Sequence, residues 1–130
     1  LEERRPLSPA ERRQIESHAL VGAAMIREIP GLDRVADAVM SHHETPDGSG
    51  YPRALRDPEI PLAGLIVSVA DSFDAMTHYR PYAAERTYRE SIIEMSGRQG
   101  KYDERVLWAL QQVLKQLGIL ETRPIAAPAQ

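Results

Sequence analysis

Apolar side chains recur at three- and four-residue intervals over much of the chain, the spacing that lays them along one flank of an α-helix. Ile15, Ala19, Gly22, Met25, Ile26 and Ile29 follow it, while Glu11, Arg12, Arg13, Glu16 and Arg27 fall at other angles. Ser8-Pro9-Ala10-Glu11 ahead of them is a capping-box pattern with proline at the first helical position, so a helix is predicted from there until Pro30-Gly31 stops it. His18 lies three residues after Ile15 and four before Gly22 and is expected to point inward. A second helix, from residue 32 or 33 to about residue 44, would bury Val35, Ala36, Val39 and Met40 and end in His42-His43. Adjacent helical positions differ by about 100°, so both rings reach one site only near a helix end or at an edge of the buried face.

The density of Pro, Gly and Asp over residues 45–61 predicts an irregular loop, of a length usually kept for a purpose. Residues 62–77 (LAGLIVSVADSFDAMT) carry almost no charge besides Asp71 and Asp74 and lack internal proline, which predicts a buried helix. The β-branched Ile66, Val67 and Val69 make a short strand the competing reading, which length disfavours. Residues 79–86 are irregular around Pro81. Thr87-Tyr88-Arg89-Glu90 is a second capping-box pattern, predicting a short helix through Met95 ended by Gly97. Asp103 would cap a last helix with an apolar face of Val106, Leu107, Leu110, Val113, Leu114 and Leu117, closed by Gly118. Residues 122–130 should fray. About five helices and a long loop define the expected fold class, an all-α bundle, with one domain over residues 1–120 and a flexible tail over 121–130.

Composition narrows the partners. Sixteen basic against nineteen acidic side chains leave a net charge of −3, which gives no broad attraction to DNA, RNA or an anionic membrane, so any anionic ligand must be held locally. The absence of cysteine excludes disulfides, thiolate metal sites and thiol nucleophiles, and agrees with a reducing cytoplasm. No apolar run approaches the ~18 residues of a membrane span. The chain starts at Leu1 without an initiator Met, from which a longer polypeptide is expected.

The chemistry concentrates between Ser41 and Tyr82, where three of the four histidines lie. His18, His42, His43 and Asp71 are ligands suited to manganese, iron or zinc, and they come from three segments that helix packing can bring together. Taken singly, His18 is as readily a core histidine with a satisfied hydrogen bond. Asp71 is as readily a buried acid paired with a helix end or an arginine, although such a charge in an apolar helix costs several kcal/mol unless compensated. Glu44 either orients a ligating imidazole or ends its helix in solvent. Asp74 and His78 are read as solvated or capping groups, and Arg53, Arg56 and Lys101 as surface charges.

HHETPDGSGYP, followed by IPLAGLIVSVADSFDAMTHYRPY, closely resembles the second half of the HD-GYP domain, a subgroup of the HD metal-dependent phosphohydrolases whose characterised members cleave cyclic di-GMP. The likeness extends over residues 1–117, since LSPAE, the H-x-x-x-G of His18 and Gly22, and the later G-K-Y-D have counterparts. The resemblance implies an all-helical site with two or three divalent metal ions, iron or manganese, held by His18, His42, His43 and Asp71. It implies Gly48, Gly50, Tyr51 and Pro52 as the signature loop beside the substrate, and Arg80 as a phosphate or guanine contact. It also implies a bacterial second-messenger role with cyclic di-GMP as substrate, a GGDEF-domain protein as an optional partner, and compatibility with a homodimer.

Several departures bear on that likeness. The His-Asp pair that names the family, with its following lysine, belongs upstream of Leu1, and no His-Asp dipeptide occurs here. Ala19, Leu65 and Ala83 stand where the family usually has proline, arginine and lysine. The leading expectation is therefore the C-terminal part of an HD-GYP phosphodiesterase, inactive as this chain alone. The alternative is a degenerate module that binds a nucleotide or a GGDEF-type protein without cleaving anything.

Overall fold

Ser8 caps the first helix as its sequence demands: its hydroxyl accepts from the Glu11 amide at 3.1 Å, and the Glu11 carboxylate accepts from the Ser8 amide at 2.9 Å. The structure, a computed structural model, describes residues 6–78 and 84–120, and the side chains of the fourth helix from Tyr88 onward. Among the described residues five helices follow one another: α1 (Pro9–Arg27), α2 (Asp33–Ser41), α3 (Leu62–His78), α4 (Ala84–Gly97) and α5 (Glu104–Gln116). Among the described residues the only β-type pairing is an isolated antiparallel bridge between Asp47 and Arg56. The all-α expectation holds, with the long loop between α2 and α3.

The core lies where α3, α4 and α5 pack on one another. Ile60, Leu65, Val69, Met95, Val106 and Leu107 form one buried cluster, and Ile92, Leu114 and Leu120 a second; Phe73 and Leu110 pack against both. Asp103 caps α5 as expected, accepting from the amides of Arg105 and Val106 at 2.9 and 3.1 Å. The α2–α3 contact is closer still. A Cβ on Gly64 would stand 2.1 Å from Ser41 Oγ, so α3 comes this near α2 only because that position carries hydrogen.

Helix α1 packs on α2 and, among the described residues, on no other helix. Ala19 and Ala23 are buried in that contact, and Arg27 pairs with Asp37 at 3.3 Å. The contact covers a narrower arc than the apolar stripe. Ile15, Met25 and Ile29 are exposed, Met25 by 67%, and His18 on the same flank is exposed as well. The inward placement expected of His18 is thus corrected: small residues seat α1 on α2, and no described helix lies against the remaining flank.

Other boundaries and faces shift. Helix α2 ends at Ser41 with His42 as its C-cap, so His43 and Glu44 already belong to the connection, and Val35 is exposed. Helix α3 is not buried all round: Gly64, Leu65 and Val69 are inside, while Leu62, Ile66, Val67 and Asp71 face water. The desolvation cost expected of Asp71 is therefore absent here. Helix α4 begins at Ala84, which places Thr87 inside it instead of at its cap. On α5, Val113 and Leu117 are exposed because the core reaches only one side of that helix. The expected irregular stretch around Pro81 and the tail over residues 121–130 lie outside the described residues, apart from the start of α4.

Candidate functional site

The end of α2 turns sharply after Ser41, and the chain beyond the turn folds back onto it. The Glu44 amide donates to Ser41 O at 2.9 Å, and the Tyr51 amide donates to His43 O at 3.1 Å. Gly50 makes this return possible: a Cβ there would lie 2.3 Å from His43 O and 2.6 Å from both Glu44 Cα and Thr45 N. Those neighbours are backbone and cannot step aside. The close approach sets the Tyr51 ring against the His43 ring, with centroids 4.8 Å apart and planes 24° from parallel. The His42 and His43 rings lie 3.9 Å apart, tilted by 42°.

Glu44 holds the far arm of the loop. It is fully buried, and its two carboxylate oxygens accept from the amides of Arg53 at 2.7 Å and Leu55 at 2.9 Å. Among the described residues it accepts from neither imidazole, so the orienting role expected of it gives way to loop support. Burial alone would make a carboxylate costly; two charge-assisted amide donors offset this.

The near arm is organised by Asp47. Its Oδ1 accepts from the Thr45 hydroxyl at 2.7 Å, the Ser49 hydroxyl at 2.7 Å and the Ser49 amide at 3.0 Å, and Lys101 Nζ sits 3.0 Å from Oδ2. Hydrogen bonds from Thr45 and Ser49, joined by that from Lys101, hold the Asp47 carboxyl well below the usual carboxylate range. The Asp47 amide donates to Gly100 O at 2.9 Å, tying the loop to the α4–α5 turn. Gly48 takes φ +81° beside the Arg56 side chain. The peptide bonds before Pro52 and Pro58 are cis.

His42, His43 and Asp71 line one cavity of about 400 Å³. The same cavity is also lined by Arg98, Gln99, Lys101 and Tyr102, and by Ser68 and Ser72 of α3. His18 is not among the lining residues, so the structure gathers three of the four expected ligands and leaves the first on the open flank of α1. Arg80 lies outside the described residues. Lys101 is corrected from a plain surface charge to a cavity residue bonded to the loop. The signal for it was the G-K-Y-D motif, whose lysine carries no meaning until the turn is seen against Asp47. Arg98 and Gln99 had no such signal.

The donors suit a divalent cation in kind. His42 Nδ1 stands 2.6 Å from Val39 O, and because a carbonyl only accepts, that nitrogen carries a proton, which leaves Nε2 as the ring atom able to ligate in the neutral imidazole. Burial, together with the neighbouring His42, pushes the His43 imidazole toward its neutral, ligating form, with Asp71 opposing. Tyr51 is pushed up chiefly by burial, so its hydroxyl stays a donor. Among the described residues, however, no three His, Asp or Glu side chains draw together into a closed ligand cluster.

No described helix is long and apolar enough to cross a membrane. A family model described as HD domain matches residues 1–106. A cyclic di-GMP phosphodiesterase of Thermotoga maritima is 40% identical over 114 residues, covering 85% of this chain and 31% of that protein. A cyclic di-GMP phosphodiesterase of Pseudomonas aeruginosa is 34% identical over 108 residues, 81% of this chain and 25% of its own length. A 3'3'-cGAMP-specific phosphodiesterase of Vibrio cholerae is 37% identical over 78 residues, 60% of this chain and 17% of its own length. The chain thus spans less than a third of the length of these curated relatives. Their names agree with the HD-GYP resemblance carried by residues 42–52. With the matched region covering most of the 130 residues, and an all-helical architecture behind it, the chain belongs to the HD domain family.

Proposed function

We propose that this chain forms part of a metal-dependent phosphodiesterase of the HD-GYP type, acting on a cyclic dinucleotide such as cyclic di-GMP and yielding pGpG or GMP. The observation that carries this reading is the meeting of His42, His43 and Asp71 on one cavity beside the Gly50-Tyr51-Pro52 loop. The names of the relatives, cyclic di-GMP and 3'3'-cGAMP phosphodiesterases, support the substrate class. His42 through Nε2, His43 and the Asp71 carboxylate would hold divalent ions, iron or manganese, with His18 as a fourth ligand and the rest from outside these 130 residues. Bound there, such ions supply a water of lowered pKa and charge neutralisation at the diester. The chain's own residues fix the His42 ring through its bond to Val39 O and hold the His43 ring against Tyr51, whose hydroxyl would be offered to the substrate. Gly48, Gly50 and Pro52 shape the loop that does so, and Arg80 is assigned to a phosphate or guanine.

Full-length protein assayed with cyclic di-GMP and manganese or ferrous iron tests the reading. Turnover in wild type that is lost in His42→Ala and in Asp71→Asn is expected; no turnover in wild type, or full activity in His42→Ala, sinks it. Ala83, where the family usually has a lysine, favours a second reading, a non-catalytic module that binds a nucleotide or a GGDEF-domain protein. Nucleotide or partner binding without metal uptake or cleavage would decide for it.

A further inference from the structure

Two cations reach the cavity from the α4–α5 turn. The Lys101 ammonium has three donors. One meets Asp47 Oδ2 at 3.0 Å and one meets Ser49 Oγ, which leaves the third. Arg98 lines the same cavity and pairs with Glu94 through Nη2, leaving further N–H groups of its guanidinium. The loop has other fastenings: Thr45 and Ser49 already satisfy Asp47 Oδ1, the Asp47 amide is bonded to Gly100 O, and Glu44 holds the other arm. An ion pair as exposed as Lys101–Asp47 adds little stability. What Lys101 adds is a fixed positive charge at the cavity wall. Its flexible stem is pinned by two bonds, so one remaining donor is presented to the cavity at small entropic cost.

We propose that Lys101, with Arg98 beside it, is the anion-holding wall of this cavity and donates to a phosphate oxygen of a ligand lying against His42, His43 and Asp71. That the ligand is a cyclic dinucleotide rests on the phosphodiesterase reading; that it bears phosphate rests on the wall itself. Lys101 and Arg98 share the cavity with the metal candidates, so a phosphodiester bound there would meet their cations as well as any bound metal ions.

The test uses full-length protein with Lys101→Met, Lys101→Arg and Asp47→Asn, read by kcat and KM for cyclic di-GMP and by calorimetric titration with inorganic pyrophosphate. Loss of a charged hydrogen bond predicts that Lys101→Met raises KM and weakens pyrophosphate binding about ten-fold or more, with kcat within about three-fold of wild type. Lys101→Arg should restore most of the affinity. Asp47→Asn leaves the Ser49 bond and one side-chain oxygen to hold the ammonium, so pyrophosphate affinity should stay within about two-fold. Unchanged KM and pyrophosphate affinity in Lys101→Met overturns the proposal, as does equal weakening by Asp47→Asn, which would make Lys101 a loop fastening alone. A wild type that binds pyrophosphate through Lys101 yet cleaves no cyclic dinucleotide retires the phosphodiesterase reading and leaves the wall standing. Cleavage with a KM indifferent to Lys101→Met does the reverse. A wild type that binds no pyrophosphate overturns the wall whatever its hydrolytic activity.

Discussion

Replacing Glu44 by Gln separates loop support from metal-site tuning. In the wild type, two buried amides donate to one fully buried carboxylate, at 2.7 and 2.9 Å. Glutamine keeps the shape but offers one oxygen and one NH2, so one amide faces a donor. Hydrogen bonds to a charged group contribute about 1.5–3 kcal/mol, and a buried donor left unmade costs about 1–3 kcal/mol. Losing one bond, weakening the other and opposing two donors therefore comes to about 2–4 kcal/mol. Set against a total stability of about 5–15 kcal/mol, that is a large share, and it falls on one loop. The expected result is faster amide exchange at Arg53 and Leu55, with a lower urea midpoint at an unchanged slope if the loop opens only with the whole domain. Exchange at those two amides equal to wild type, with an unmoved midpoint, would refute loop support. Weakened manganese binding with both amides still protected would return Glu44 to orienting an imidazole.

Gly50→Ala should destabilise the protein by about 1–3 kcal/mol through forced backbone displacement and separate the Tyr51 and His43 rings, seen as changed ring-current shifts in NMR spectra. A variant with native shifts and melting temperature would contradict the close approach. Gly64→Ala should cost a similar amount, about 1–3 kcal/mol, at the α2–α3 contact, and Ser41→Ala should recover part of it in a double-mutant cycle because the nearest atom is Ser41 Oγ. Asp103 gives the pH dependence. Burial works to raise its pKa, but hydrogen bonds from the Arg105 side chain and the Val106 and Arg105 amides prevail and lower it. A depressed folded pKa means the stabilisation is fully present above the unfolded value of about 3.9 and is lost as pH falls through the lower folded value. Urea midpoints should therefore drop in acid, and Asp103→Asn should flatten that slope; an identical slope in the variant would contradict the assignment.

Local signals were the most legible. Ser8, Glu11 and Asp103 carry their partners within a few residues, so both helix starts stand where the pattern puts them. The loop was legible from its Gly and Pro content, but nothing in that content says that Gly50 meets the backbone of residues 43–45. What periodicity could not give was which part of an apolar stripe finds a neighbour. His18, Met25 and Ile29 fit a buried pattern, yet among the described helices α1 meets only α2. Thr87 matched a capping box, but that pattern is also allowed inside a helix, and α4 starts before it. Lys101 and Asp47 are separated by more than fifty residues, a contact no local rule reports.

The way α1 is joined to the rest has a mechanical consequence. Among the described residues its only helical neighbour is α2, so α1 is joined to α3, α4 and α5 by way of α2 alone. His18 rides on α1, Asp71 on α3, and His42-His43 follow α2 between them. An ion ligated from all three would act as a rivet, and its uptake would slow hydrogen exchange in α1 far more than in α5.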